Sequence, residues 1–190
     1  MSDINESLPG WSYTSDAFFE LEKQNLFLQN WQLVCHESNI PNPGDYFTFQ
    51  IFDQRIFAIR GKDNQVRIFH NLCSHRATKL LDAVSGNCNE KIICPYHAWG
   101  WGAEGMCLDI PYAKKIPKTA RIKSWPTCEE NKLLFIWNDP EGMPPDPYEI
   151  VPREDAAFAE DWSDWVIEDN IIHINCRELI DNMSDKAHFI

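Results

Sequence analysis

Two short signals, Cys73-Ser74-His75 and Cys94-Pro95-Tyr96-His97, narrow the folds open to this chain more than anything else in it. Each carries one thiol and one imidazole, and residues 76–93 lie between them. These four metal-competent side chains fall on two loops of what the surrounding residues read as a β domain. Stretches 31–36, 46–52, 55–60 and 66–69 are short and rich in β-branched and aromatic residues, with turn-type residues at 41–44, 53–54 and 61–64. Residues 92–93 and 133–137 read as further strands. The pattern predicts a mainly β chain built on a small antiparallel β domain.

The flanks differ from this centre. Residues 15–30 read as a helix, with Ser15 as N-cap and Phe18, Leu21, Leu26 and Phe27 able to share one face. Asn138-Asp139-Pro140 stops the last strand, and 142–147 reads as a linker. Beyond it come an acidic, Trp-bearing stretch, a strand over 171–174 and a helix from 177 to the end. The expected organisation is an N-terminal helical segment (1–30), a β domain (31–140), and a linker with the start of a second, α+β domain (141–190).

Charge and composition exclude some roles. Net charge is −12, which argues against nucleic acid as a partner, since phosphate recognition needs a basic surface. It leaves room for a basic protein partner such as an electron donor, although solubility is the plainer reading. No apolar run approaches the ~20 residues of a membrane span, and the N-terminus lacks a secretory signal. The expected location is therefore cytoplasmic. Seven cysteines in such a chain suggest reduced thiols and a metal site rather than a disulfide framework.

The four donors admit three readings. A [2Fe–2S] cluster with two His in place of two Cys on one iron needs one such set. Cys73 and Cys94 would then hold the inner iron, and His75 and His97 the outer one. Zinc also takes two Cys and two His, but its sites usually pair Cys with Cys and His with His. The last reading is four loop residues without metal. The interleaved pairs favour the cluster. Pro95 fixes φ and stiffens the second loop. The cysteines at 35, 88, 107, 128 and 176 read as ordinary small buried or half-buried residues.

The motif CSHR…CPYHAW resembles the Rieske domain of Rieske non-haem iron oxygenases. Cytochrome bc-type Rieske proteins add a bridging cysteine to each loop, and Thr78 and Tyr96 stand at those places here, which points to the oxygenase or ferredoxin branch. By the same resemblance, Arg76 shapes its loop and Trp99 packs beneath; routine surface and packing roles fit them equally. The segments CPYHAWGWGAEGMCLDIPYAKKIPKTARIKSW, LLFIWNDPEGMPP and NCRELIDNMSDKAHF resemble the oxygenase family of the 3-ketosteroid 9α-hydroxylases. The implied fold is a Rieske domain followed by the truncated start of a mononuclear-iron catalytic domain.

Taken alone, residues 177–190 describe an ordinary amphipathic helix, with Asp181, Asp185 and His188 on a polar stripe and Leu179, Met183, Ala187 and Ile190 opposite. The resemblance assigns more. It makes His188 the first His ligand of a mononuclear non-haem Fe(II), Asn182 a polar neighbour of that iron, and Asp185 the acid linking one subunit's Rieske His to the next subunit's iron. The family's second His and its carboxylate fall beyond residue 190, and His173 is not a substitute. The chain is thus expected to be the first half of a monooxygenase, inactive alone. The resemblance further implies O2, a steroid-like substrate, a separate NADH-dependent flavin and iron–sulfur reductase, and a homotrimer of the full-length form. A stand-alone Rieske electron carrier is the alternative.

Overall fold

The computed structural model describes residues 8–148, 150–161, 163, 166, 168 and 171–174. Residues 28–159 form one compact unit, and the described residues 8–27 belong to another. The larger unit is mainly β and antiparallel throughout. Its strands are β1 (Trp31–His36), β2 (Asp45–Ile51), β3 (Gln54–Arg60), β4 (Val66–His70), β5 (Ser85–Asn87), β6 (Ile92–Ile93), β7 (Gly100–Trp101), β8 (Cys107–Asp109), β9 (Ser124–Trp125), β10 (Thr127–Glu130) and β11 (Leu133–Trp137). They make three sheets, ordered β5-β2-β3-β4-β9, β1-β11-β10 and β6-β7-β8.

Strand β3 explains the layering. Ile56, Phe57, Ala58 and Ile59 are all buried, although successive side chains of a strand point to opposite faces. Both faces of the central sheet are therefore covered. Ile56 and Ala58 pack with Ile40, Ile68, Leu134 and Ile136, the last two from β11. Phe57 and Ile59 pack with Phe69, Ile92, Trp101, Cys73 and Cys94. This second layer carries the two Cys/His loops. At the strand's end Arg60 is buried, donating from Nε to Ile40 O at 2.7 Å and from Nη1 to Asn64 O at 2.9 Å, and pairing with Glu129 of β10 at 3.2 Å. Gly105 closes the turn between β7 and β8 at φ +77°, where a Cβ would run into the Phe69 ring.

The N-terminal unit departs from its expected single helix. An α-helix α1 covers Asp16–Glu22, capped by Ser15, whose Oγ accepts from Phe18 N at 3.3 Å. Residues Lys23–Phe27 then form a π-helical turn. The wider turn breaks the 3.6-residue stripe, and Leu21 and Leu26 are exposed rather than sharing a buried face. The strand expected over 171–174 is not formed. Ile171, Ile172 and Ile174 are exposed, and β-branched residues make a strand only where a ladder partner and a covered face exist. The helix expected from 177, with Asn182, Asp185 and His188, lies outside the described residues, as do Cys176 and the apolar side chains of that segment. Among the described residues no helix is long and apolar enough to cross a membrane.

Candidate cluster site

The two loops are copies of one backbone device. In the first, Cys73 N donates to Thr78 O at 2.8 Å and Ala77 N to Cys73 O at 2.8 Å; in the second, Cys94 N donates to Trp99 O at 2.9 Å and Ala98 N to Cys94 O at 3.0 Å. The residue four places after each cysteine is an alanine in the left-handed region, Ala77 at φ 52° and Ala98 at φ 58°. That conformation costs about 1 kcal/mol for a residue with a Cβ, and alanine keeps the crowding small. Each loop thus turns tightly around its own cysteine and throws its histidine outward.

Strand β4 delivers the first loop, and β6 and β7 frame the second. Asn71 locks the first. Its side chain is buried, donating to Leu81 O at 2.7 Å and accepting from Leu80 N at 3.2 Å and Leu81 N at 2.9 Å. The chain's way out and way back are thereby tied together. Nothing in the sequence singled out this asparagine, because polar residues in a loop are ordinary there. The repeated Cys-to-Ala spacing was the visible sign of the shared backbone.

The donors sort by depth. Cys73 and Cys94 are each 2% exposed, while His75 and His97 are half-buried at the rim. The imidazole rings lie 4.8 Å apart between centroids. Trp99 stacks on His75 at 4.7 Å and 5° between planes, and its Nε1 donates to Tyr112 Oη at 2.6 Å. Tyr96 lies against His97 at 3.8 Å. Arg76, next to His75, points into solvent. The sequence reading named all four donors, but neither Tyr112 nor the Trp101 indole.

Two polar atoms of the site lack hydrogen-bond partners. His97 Nδ1 is buried with none, and so is Nε1 of Trp101, a residue wholly inside the core. Unpaired buried polar atoms are rare and call for a reason. A metal held by His97 would supply it. The Trp101 N–H has no hydrogen-bond partner, and its pull on the Cys73 thiol toward the thiolate is the smallest of the influences acting there. Burial pushes the Cys73 thiol up and the neighbouring Cys94 adds to this, while the His75 backbone N–H and the Trp101 N–H pull the other way. Desolvation first, then His97 and Arg76, hold His75 below the ordinary histidine value, which keeps the neutral, metal-binding ring. Among the described residues no three His, Cys, Asp or Glu side chains gather around one point suited to a single ion. The set is two inner thiols and two outer imidazoles, the division a two-iron centre requires.

Comparison with known proteins agrees with this arrangement. The Rieske [2Fe–2S] domain model matches residues 30–126, more than half of the chain. The chain belongs to the Rieske family. A second family model, the 3-ketosteroid 9alpha-hydroxylase C-terminal domain, matches residues 136–190. The chain is 37% identical to a 3-ketosteroid-9-alpha-monooxygenase oxygenase component of Rhodococcus rhodochrous over 86% of this chain and 41% of that protein. It is 41% identical to the carnitine monooxygenase oxygenase subunit of Acinetobacter baumannii over 54% of this chain and 28% of that protein. Among solved structures, a quaternary ammonium Rieske monooxygenase aligns with TM-score 0.64 and 33% identity, over 72% of this chain and 39% of that one. This Rieske chain spans about two fifths of the length of the 3-ketosteroid relative. All the cysteines of its described residues are free thiols.

Proposed function

We propose that Cys73, Cys94, His75 and His97 hold a Rieske [2Fe–2S] cluster, and that the chain works as the electron-delivering part of an O2-dependent monooxygenase acting on a 3-ketosteroid-like substrate. The observation that carries the first half is the matched pair of cysteine turns, with buried thiols inside and His97 Nδ1 left without a partner. When bound, the cluster supplies a one-electron carrier at a potential above that of all-Cys clusters.

The protein's own part is positional. The Ala77 and Ala98 turns fix the sulfur positions. The Phe57, Phe69, Ile92 and Trp101 side chains keep water from the thiols. Trp99 holds the His75 ring flat against its indole, and Tyr112 holds Trp99. The half-buried imidazoles at the rim form the electron's way in and out.

The match of residues 136–190 to a hydroxylase C-terminal domain supports an oxygenase over a stand-alone carrier. In that reading His188 is one ligand of a mononuclear iron, Asp185 bridges it to a neighbouring subunit's Rieske histidine, and the working form is a cytoplasmic homotrimer. An NADH-dependent flavin and iron–sulfur reductase supplies electrons one at a time. Substrate, O2, NADH and a proton give hydroxylated substrate, NAD+ and water. The steroid reading rests on the 3-ketosteroid relatives and on residues 136–190, because 54% of the chain also resembles a carnitine monooxygenase subunit.

The test has two stages. Dithionite-reduced protein should show the rhombic Rieske EPR signal, lost in Cys94→Ser; zinc-loaded, EPR-silent protein contradicts the cluster. With a reductase and NADH, the natural full-length protein should then hydroxylate a 3-ketosteroid. NADH oxidation with carnitine but with no 3-ketosteroid would overturn the substrate class.

A further inference from the structure

The net charge of −12 hides a local asymmetry. No Asp or Glu occurs in residues 64–81, 91–103 or 110–128, which hold the two donor loops and the segment that follows β8. That last stretch carries Lys114, Lys115, Lys118, Arg121 and Lys123. Residues 111–119 are all exposed, and among the described residues Arg76, Lys114, Lys115 and Lys118 form no ion pair. Of the acids that border these stretches, Asp82 pairs with Lys79 at 3.0 Å, Glu90 with Lys62 at 3.5 Å and Asp109 with Lys91 at 3.0 Å, while Glu104 is in no ion pair among the described residues.

The lysine segment is fastened to the histidine rim. It starts at Tyr112, whose hydroxyl accepts from Trp99, and Trp99 stacks on His75. Tyr96 and Tyr112 are 62% and 64% exposed. An exposed aromatic pair thus has cations close by in sequence on either side, Arg76 next to His75 and the lysines after Tyr112.

We infer that residues 111–119, with Arg76, form the landing surface for an acidic one-electron donor protein that reduces the site through its His75 side. The inference rests on the cluster assignment above. In the step, the reduced donor loses one electron and the bound iron pair gains it. The whole-chain charge left room for a basic donor; the unpaired charge of residues 111–119 favours an acidic one. Charged residues are depleted at interface cores, so lysines with mobile, hydrated ends suit the rim of brief, electrostatically steered encounters, which bury little area. A lasting contact with a second copy would need a broad apolar face, and the large apolar side chains of this segment are only Tyr112 and Ile116.

The experiment compares the cluster-loaded chain with a Lys114→Glu/Lys115→Glu/Lys118→Glu variant and a milder triple Gln variant. The probe is a reduced plant-type [2Fe–2S] ferredoxin, an acidic protein, with basic cytochrome c in parallel. Binding is measured by calorimetry and reduction by stopped flow, both across a salt series. The Glu variant should bind ferredoxin about tenfold more weakly or worse at low salt, and be reduced correspondingly more slowly. The Gln variant should lie between. Both should keep the Rieske EPR signal and the rate with photoreduced deazaflavin. Wild-type affinity in both variants would overturn the inference. So would tighter binding of cytochrome c than of ferredoxin, or a sedimentation shift showing that the lysines hold two copies of the chain together. Failure to load a cluster would count against the cluster assignment alone, because ferredoxin binding still reads the surface.

Discussion

At the scale of single residues, the donors were legible and their supports were not. Asn71 satisfies three backbone groups of its own loop with one buried side chain. Asn71→Ala leaves them unpaired, and we expect urea unfolding to show a loss of about 2–3 kcal/mol, with poorer iron loading. Trp101 is a finer instrument. Its N–H is buried without a partner in the core cluster that holds Cys73 and Cys94, so Trp101→Phe should lower the midpoint potential while the EPR signal persists. An unchanged potential in a loaded variant would remove that role. A sequence shows a tryptophan, not the direction of its N–H, which is why this role was invisible. Of the described cysteines outside the site, Cys107 is buried and Cys35, Cys88 and Cys128 are half-buried. Burial pushes Cys35 from 9.0 up to about 12, and Cys88 up to about 11. Unfolded thiols ionise near the lower value, so these two groups favour the fold below pH 9 and lose that contribution as pH rises toward 12. Alkaline denaturation should therefore show a falling arm that flattens in Cys35→Ala. At pH 8 both thiols should resist iodoacetamide until the protein is unfolded.

Among the elements, the Cys/His turns hold the design. Both rest on an alanine at positive φ. Ala98→Gly should leave stability within about 1 kcal/mol of wild type, because glycine adopts that conformation freely. Ala98→Val should lose iron, since a β-branched side chain is a steric outlier there; iron and thermal-melt assays on both variants check this. Strands β1 to β4, β6 and β11 could be read from their runs of β-branched and aromatic residues between turn residues. Strands β5 and β7 to β10 could not. They are two to four residues long and are set by partners distant in sequence, as when Ile68 of β4 meets Trp125 of β9. Residues 171–174 show the converse: strong β-branched propensity without a strand. The π-turn after α1 likewise undid an apolar stripe drawn at constant helical pitch.

Over the whole molecule, chain-wide averages were silent on the site and local patterns were not. Net charge is a sum, and it concealed three acid-free stretches around the donor loops. Chain-wide aromatic richness gave no hint that Trp99 and Tyr112 are hydrogen-bonded beside His75. The short β-branched and aromatic stretches around the two Cys/His signals, by contrast, foretold the antiparallel β scaffold that carries both loops. The proposed longer enzyme carries its own test. In the natural full-length protein, Asp185→Asn should keep the cluster spectrum and abolish hydroxylation, and normal turnover would remove the bridge between subunits. The most direct measurement of the central claim is made on the chain itself: iron, zinc and acid-labile sulfide content together with EPR after dithionite reduction. The expected result is two irons and two sulfides per chain with a rhombic Rieske signal. Stoichiometric zinc without sulfide, or a reduced cluster with an all-cysteine signal, would contradict it.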